Sequence, residues 1–140
     1  MAAFKEVADI QTADMLKLPV PKANFHTEVI QPSELQKEMI KGLAERAEKI
    51  RAGGVDPHVD NMLRITNDGR KLALDMRLIN PLAADDPDGK VAVCARNVYR
   101  IWEQTKEKRS AQLVFCDLST PTTDGSFSVY DDLKKKLMDA

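Results

Sequence analysis

Asp85, Asp86 and Asp88 form the densest group of side chains that could bind a metal or move a proton. A calcium loop of the EF-hand type needs spaced oxygen ligands and a glutamate that closes the coordination shell. Neither the spacing nor the glutamate follows here, so the three aspartates read as a solvated loop. The two histidines, His26 and His58, stand in different segments with no thiol or carboxylate at ligand spacing. Cys94 and Cys116 fall on an expected helix and an expected buried strand, which makes them structural thiols of a reducing compartment. There is no G-x-x-x-x-G-K-[ST] phosphate loop, no G-x-G-x-x-G, no nucleophile elbow and no H-E-x-x-H. No catalytic residue and no metal ligand is therefore assigned, and by its own chemistry the chain is expected to be inactive as an enzyme.

Composition narrows the remaining classes. The chain has 140 residues, enough for one domain, with 43% hydrophobic and 31% charged residues. Lys plus Arg number 21 against 22 for Asp plus Glu, so no global basic field marks a small nucleic-acid module. No run approaches the roughly 18 apolar residues of a membrane span. Lys5, Glu6 and Asp9 near the start, with no apolar stretch, argue against a secretory leader. A cytoplasmic protein with no membrane partner is expected.

Several elements can be read from spacing. Residues 1–24 lack periodicity, and Pro19 and Pro21 favour an extended chain there. Phe25 to Ile30 alternates like a short strand. Ser33 and Gln36 form a capping box that opens a helix with an apolar stripe at Leu35, Met39, Leu43, Ala47 and Ile50, ended by Gly53-Gly54. Val59, Met62, Leu63 and Thr66 suggest two helical turns, broken at Asn67-Asp68-Gly69; Arg70 to Leu78 stays unassigned between helix and irregular chain. After a loop from Pro81 to Gly89, Asp88 is expected to cap a helix striped by Val91, Ala95, Val98 and Trp102, with Trp102 in the core. The last helix, from about Ser128, sets Tyr130, Leu133 and Leu137 on one face, and Lys134, Lys135 and Lys136 favour the negative end of its dipole.

The run Gln112-Leu113-Val114-Phe115-Cys116 between these helices looks like a strand buried on both faces, with Leu113→Ala expected to cost about 2–5 kcal/mol. Strand, polar loop and helix make the opening of a βαβ unit, whose second parallel strand would have to come from beyond Ala140. The expectation is a piece of a larger α/β protein.

The order of the blocks carries a resemblance. Leu18-Pro19, the strand ending near Ile30 and the helix entered through Ser33-Glu34-Leu35-Gln36 resemble the entry into the second RecA-like lobe of Swi/Snf-type ATPases. Asp60-Asn61-Met62-Leu63-Arg64-Ile65-Thr66-Asn67 looks like that family's "L-R-x-x-x-N" helix, and Gln112 to Asp117 is similar to helicase motif IV. A narrower resemblance is to the large helicase-methylase proteins of bacterial mobile elements and phages, where "DNML-x-I-T-x-D-G-R-K-x-A-L-D" precedes "Q-L-V-F-C-D-L-S-T-P".

The resemblance implies a helix-rich α/β fold: residues 1–24 as an interlobe linker and 25–140 as the N-terminal part of an incomplete P-loop-NTPase-type second lobe. It implies a parent that is an ATP-dependent DNA helicase or translocase, using ATP and magnesium, with DNA and the parent's first lobe as partners. The phosphate loop and acidic magnesium motif belong to the first lobe, and the arginine motif lies downstream, so this chain alone is expected to hydrolyse nothing and to hold no cofactor. Its role would be to frame the second lobe and touch the DNA backbone through Arg64, Arg70, Lys71, Ser119, Thr120 and Thr122. The alternative is a free-standing, mostly helical module that binds a protein. The oligomeric state is left open.

Overall fold

The computed structural model describes residues 11–16, 19, 21–121, 123 and 125–140. Among the described residues a helical turn at Ala13–Leu16 is followed by four helices: α1 (Glu34–Arg51), α2 (Met62–Leu74), α3 (Lys90–Thr105) and α4 (Val129–Met138). Short 3-10 turns follow α2 at Met76–Leu78 and α3 at Lys106–Lys108. No strand occurs among the described residues. The protein is helix-rich.

The helices form two packed pairs, α1 with α2 and α3 with α4. The expected capping box opens α1: the Gln36 N–H donates to Ser33 Oγ, and the Ser33 N–H donates to Gln36 Oε1. Gln36 also donates from Nε2 to the Leu72 carbonyl at 2.8 Å. That carbonyl is among the last of α2, which lack helical partners, so one side chain caps the start of α1 and the end of α2. α2 buries Ile65 and Leu72 and is uninterrupted through Asn67-Asp68-Gly69, where a turn is expected from sequence. Asn61 caps its start by accepting from the Arg64 N–H, Asp68 is held by Arg46, and Gly69 faces Leu43 of α1. Packing across the pair thus overrides the local turn tendency.

The α3–α4 pair holds the main core, Val91, Ala95, Val129 and Leu133. Leu74 and Leu78 pack against it and join the two pairs. Two further expectations fail here. Gly89, not Asp88, is the N-cap of α3 and offers no side chain, while Asp88 donates its N–H to Asp86 Oδ1. Trp102 is 49% exposed rather than in the core, tilted against Tyr99 with the Lys106 ammonium over its ring.

The two expected strands are also corrected. Phe25 to Ile30 pairs with nothing among the described residues, and Phe25 is almost fully exposed. The run from Gln112 to Cys116 has one covered face. Val114 and Cys116 pack on the α3–α4 core, whereas Leu113 and Phe115 are 81% and 85% exposed. An apolar run implies two covered faces only where both have a layer to lie against, and here helices supply one.

Leu72, 1% exposed, is the residue whose truncation empties the core. Leu72→Ala should cost about 2–5 kcal/mol, and Leu113→Ala should stay within about 0.5 kcal/mol. Urea unfolding of the two variants followed by circular dichroism checks the contrast, and the second figure replaces the larger cost expected from sequence.

Candidate functional site

Two groups of polar side chains converge, one buried and one exposed. The buried group centres on Arg77, whose side chain is only 12% exposed. Its Nε and Nη2 donate to the two carboxylate oxygens of Asp75 at 2.9 and 2.8 Å. Nη2 also donates to Asp132 Oδ2 at 2.8 Å and lies 3.0 Å from Asp85. The guanidinium stands 4.2 Å from the centroid of the Phe127 ring. Lys136 pairs with Asp85 and, at 3.5 Å, with Asp132.

Most of the charge in this arrangement is compensated, with one negative charge in excess. Three carboxylates meet two fixed cations, and no buried side-chain donor or acceptor is left without a partner among the described residues. Hydrogen bonding to Asp75 holds the Arg77 pKa above its ordinary value against the effect of burial, with Asp132 adding to it. Burial works to raise the Asp85 pKa, but Lys136 and Arg77 together bring it below its ordinary value. A carboxylate set already saturated by cations does not fit a divalent metal, and no other metal-holding group occurs among the described residues. Asp85 and Asp88 lie exposed in a loop, as expected, and the loop also braces structure: Asp85 pairs with Arg77 and Lys136, and half-buried Asp86 accepts from the Asp88 N–H. A second ion pair of this kind joins Arg46 of α1 to Asp60 and Asp68, and its hydrogen bond from Arg46 holds the Asp60 pKa down.

The exposed group lies on α2. Leu63, Arg64, Thr66, Asn67 and Arg70 line a shallow hollow. Their spacing is that of one helix face, which the supposed turn at Asn67-Asp68-Gly69 conceals; Thr66 and Asn67 escape a sequence reading for that reason. Arg70 Nη2 donates to Asp117 Oδ2 at 2.8 Å, with the side chains 54% and 79% exposed. This pair draws the α2 face toward the end of the Gln112–Cys116 run.

The residues expected to touch phosphate are therefore only partly assembled. Arg64 is exposed and donates to the Val59 carbonyl. Arg70 lies beside Asp117, Lys71 is half-buried, and Thr120 is exposed. Ser119 is buried, and its Oγ accepts from the Val129 N–H at 2.9 Å, supporting the start of α4. Thr122 lies outside the described residues. Of the two cysteines, both half-buried and unpaired, Cys94 has its thiol pKa pushed up by burial, which suits packing rather than reactivity.

No described helix is long and apolar enough to cross a membrane. Comparison with family models, with curated proteins and with solved structures finds no match to the chain.

Arg77→Met should destabilise by about 3–5 kcal/mol, because it leaves Asp75 buried without a cation and Asp132 with Lys136 alone at 3.5 Å; chemical denaturation measures it. The pH dependence follows from the shifted groups. Asp60 and Asp85 have folded pKa values below their ordinary ones, so their contribution is present above about pH 4 and is lost as pH falls through the folded values. Lys136 and Cys94 are shifted upward, so their contributions are lost on the alkaline side, as pH rises past the ordinary cysteine and lysine ranges. Thermal melts across pH should show a plateau near neutrality, with an acid shoulder that weakens in Arg46→Met.

Proposed function

We propose that the chain is the opening part of the second RecA-like lobe of a Swi/Snf-type DNA helicase or translocase, a non-catalytic piece that frames the lobe and contacts the DNA backbone. The observation that carries this reading is the exposed α2 face with Arg64 and Arg70, joined through the Arg70–Asp117 pair to the chain just before Thr120. The order of sequence blocks supports it, from the capped helix through the DNML-R-I-T-N segment to the Gln112–Asp117 run. In the α/β fold this implies, that run is a strand of a sheet whose other strands lie elsewhere in the parent.

The chemistry of contact is electrostatic. Arg70 would exchange Asp117 for a phosphate oxygen, and an exposed ion pair of this sort costs only about 0–1 kcal/mol to open. Lys71 adds charge on the same helix and Thr120 a hydroxyl donor. Such contacts read no base sequence. Nucleotide hydrolysis belongs to the parent, whose ATP and magnesium would be held by its first lobe and its arginine motif. A second reading, a free-standing helical module that binds a protein, is favoured by one observation: Leu113 and Phe115 stand exposed side by side on one face.

The chain should bind a short duplex weakly at low salt, measured by fluorescence anisotropy, and equally well for unrelated sequences. Each phosphate neutralised contributes about −0.9 to the slope of log affinity against log salt, so two or three contacts give a shallow dependence. Arg70→Ala with Lys71→Ala should abolish the signal, and Asp117→Asn should strengthen it by releasing Arg70. Unchanged binding in the double variant would refute the phosphate role. Calorimetry with ATP should show no micromolar binding, and micromolar affinity would overturn the assignment as a non-catalytic piece.

A further inference from the structure

The run from Gln112 to Cys116 is held as a strand without a strand to pair with. Gln112 Nε2 donates to the Val98 carbonyl of α3 at 3.0 Å, fixing one end. At the other end the Tyr130 hydroxyl accepts from the Cys116 N–H at 2.8 Å and donates to the Cys116 carbonyl at 3.2 Å. In an extended chain the backbone groups of alternate residues point to opposite edges. The Tyr130 hydroxyl therefore occupies the edge served by Cys116, and the edge served by Leu113 and Phe115 stays open. Neither the N–H nor the C=O of Leu113 or Phe115 meets a partner among the described residues. The side chains of the same two residues are the ones turned away from the helices.

We propose that this edge pairs with the same edge of a second copy of the chain, antiparallel, making a two-fold symmetric dimer. Charge selects this occupant and this direction. Arg109 precedes the run, in the left-handed conformation that turns the chain out of the 3-10 turn, and Asp117 follows it, 79% exposed and held within the chain only by the solvent-exposed pair with Arg70. Antiparallel pairing centred on Leu113 sets Arg109 of each copy beside Asp117 of the other, whereas parallel pairing would stack like charges. In that register Leu113 lies opposite its symmetry mate and Phe115 opposite Ala111, so four large apolar side chains gather on one face. The pairing satisfies the open backbone groups, and it closes on itself because both copies use the same surface. The inference rests on this surface alone and not on the helicase reading, in which a strand of the parent would take the same edge.

Sedimentation velocity over a concentration series tests it. Wild type should show a reversible monomer–dimer equilibrium. Leu113→Lys and Phe115→Lys should each weaken the dimer by about tenfold or more, equivalent to roughly 1.4 kcal/mol. Both positions are exposed, so far-UV circular dichroism and melting temperature should not change. Asp117→Arg should weaken the dimer, and adding Arg109→Asp should restore it, since the swapped pair is again complementary. Wild type that stays monomeric at all concentrations overturns the proposal and leaves the edge to a strand of different sequence. A dimer indifferent to both lysine substitutions, or a charge swap that fails to restore, overturns it equally.

Discussion

The structure depends on what Arg77 does with three aspartates. Asp75 comes from the end of α2, Asp85 from the loop before α3 and Asp132 from the first turn of α4. One guanidinium thus reaches segments that local hydrogen bonding cannot join. Charged side chains are almost never buried without a partner, because desolvation costs several kcal/mol per ion. The cost is tolerable here because the geometry is bidentate toward Asp75, a ring face covers the cation, and Lys136 supplies the second positive charge. The apolar contacts between the helix pairs run through Leu74 and Leu78, both only partly buried. Apolar contact tolerates sliding, whereas a forked guanidinium fixes the relative placement of its carboxylates.

That constraint bears on the exposed surface as well. Asp132 sits two residues after Tyr130, so the register of α4 that suits Arg77 also brings the Tyr130 hydroxyl to Cys116. Ser119 supports the amide of Val129, one residue earlier, and both interactions lie on the first turn of the same helix. The Gln112–Cys116 run is therefore held by α3 and α4, with no strand beside it among the described residues. Most unpaired edges in folded proteins are short, bulged or guarded by charge. This one carries Leu113 and Phe115 at its middle and charge only at its two ends, a pattern that admits a strand rather than repelling one.

Sequence made the helices legible wherever their signals were local. Ser33 with Gln36, the stripe along α1, the start of α4 at Ser128 and the apolar positions Val91 and Ala95 all express spacing and capping, which act within a few residues. What escaped was set by neighbours distant in sequence. Asn67-Asp68-Gly69 has the composition of a turn, yet Arg46 and the side of α1 keep it helical. Trp102 falls on the right stripe but stays half exposed, at the rim of a hollow it shares with Leu137 of α4. Burial of the Leu113 side of the run could not be judged from its own residues, because apolarity states that a face suits cover and not that cover is there. The charged pairings were illegible for a similar reason: Asp85 and Lys136 are 51 positions apart, and nothing in either neighbourhood announces the other.

The same distinction separates the two polar groups as candidates for function. Arg77, Asp75 and Asp132 are largely buried and already paired, so a ligand entering there would have to displace an ion pair from a poorly solvated setting. The α2 face is exposed, and among the described residues its only ion pair is the Arg70–Asp117 contact, which solvent already weakens. A polyanion gains by replacing one exposed carboxylate with several phosphates and by releasing counterions as it does so. Of the two groups, the α2 face is the one whose ion pair opens easily to another partner, while Asp85 is tied into the scaffold through Arg77 and Lys136. Asp117 couples the two halves of this surface. It occupies Arg70 in the isolated chain and lies at the end of the open strand edge, so an anion that takes Arg70 leaves a carboxylate free beside whatever pairs with that edge.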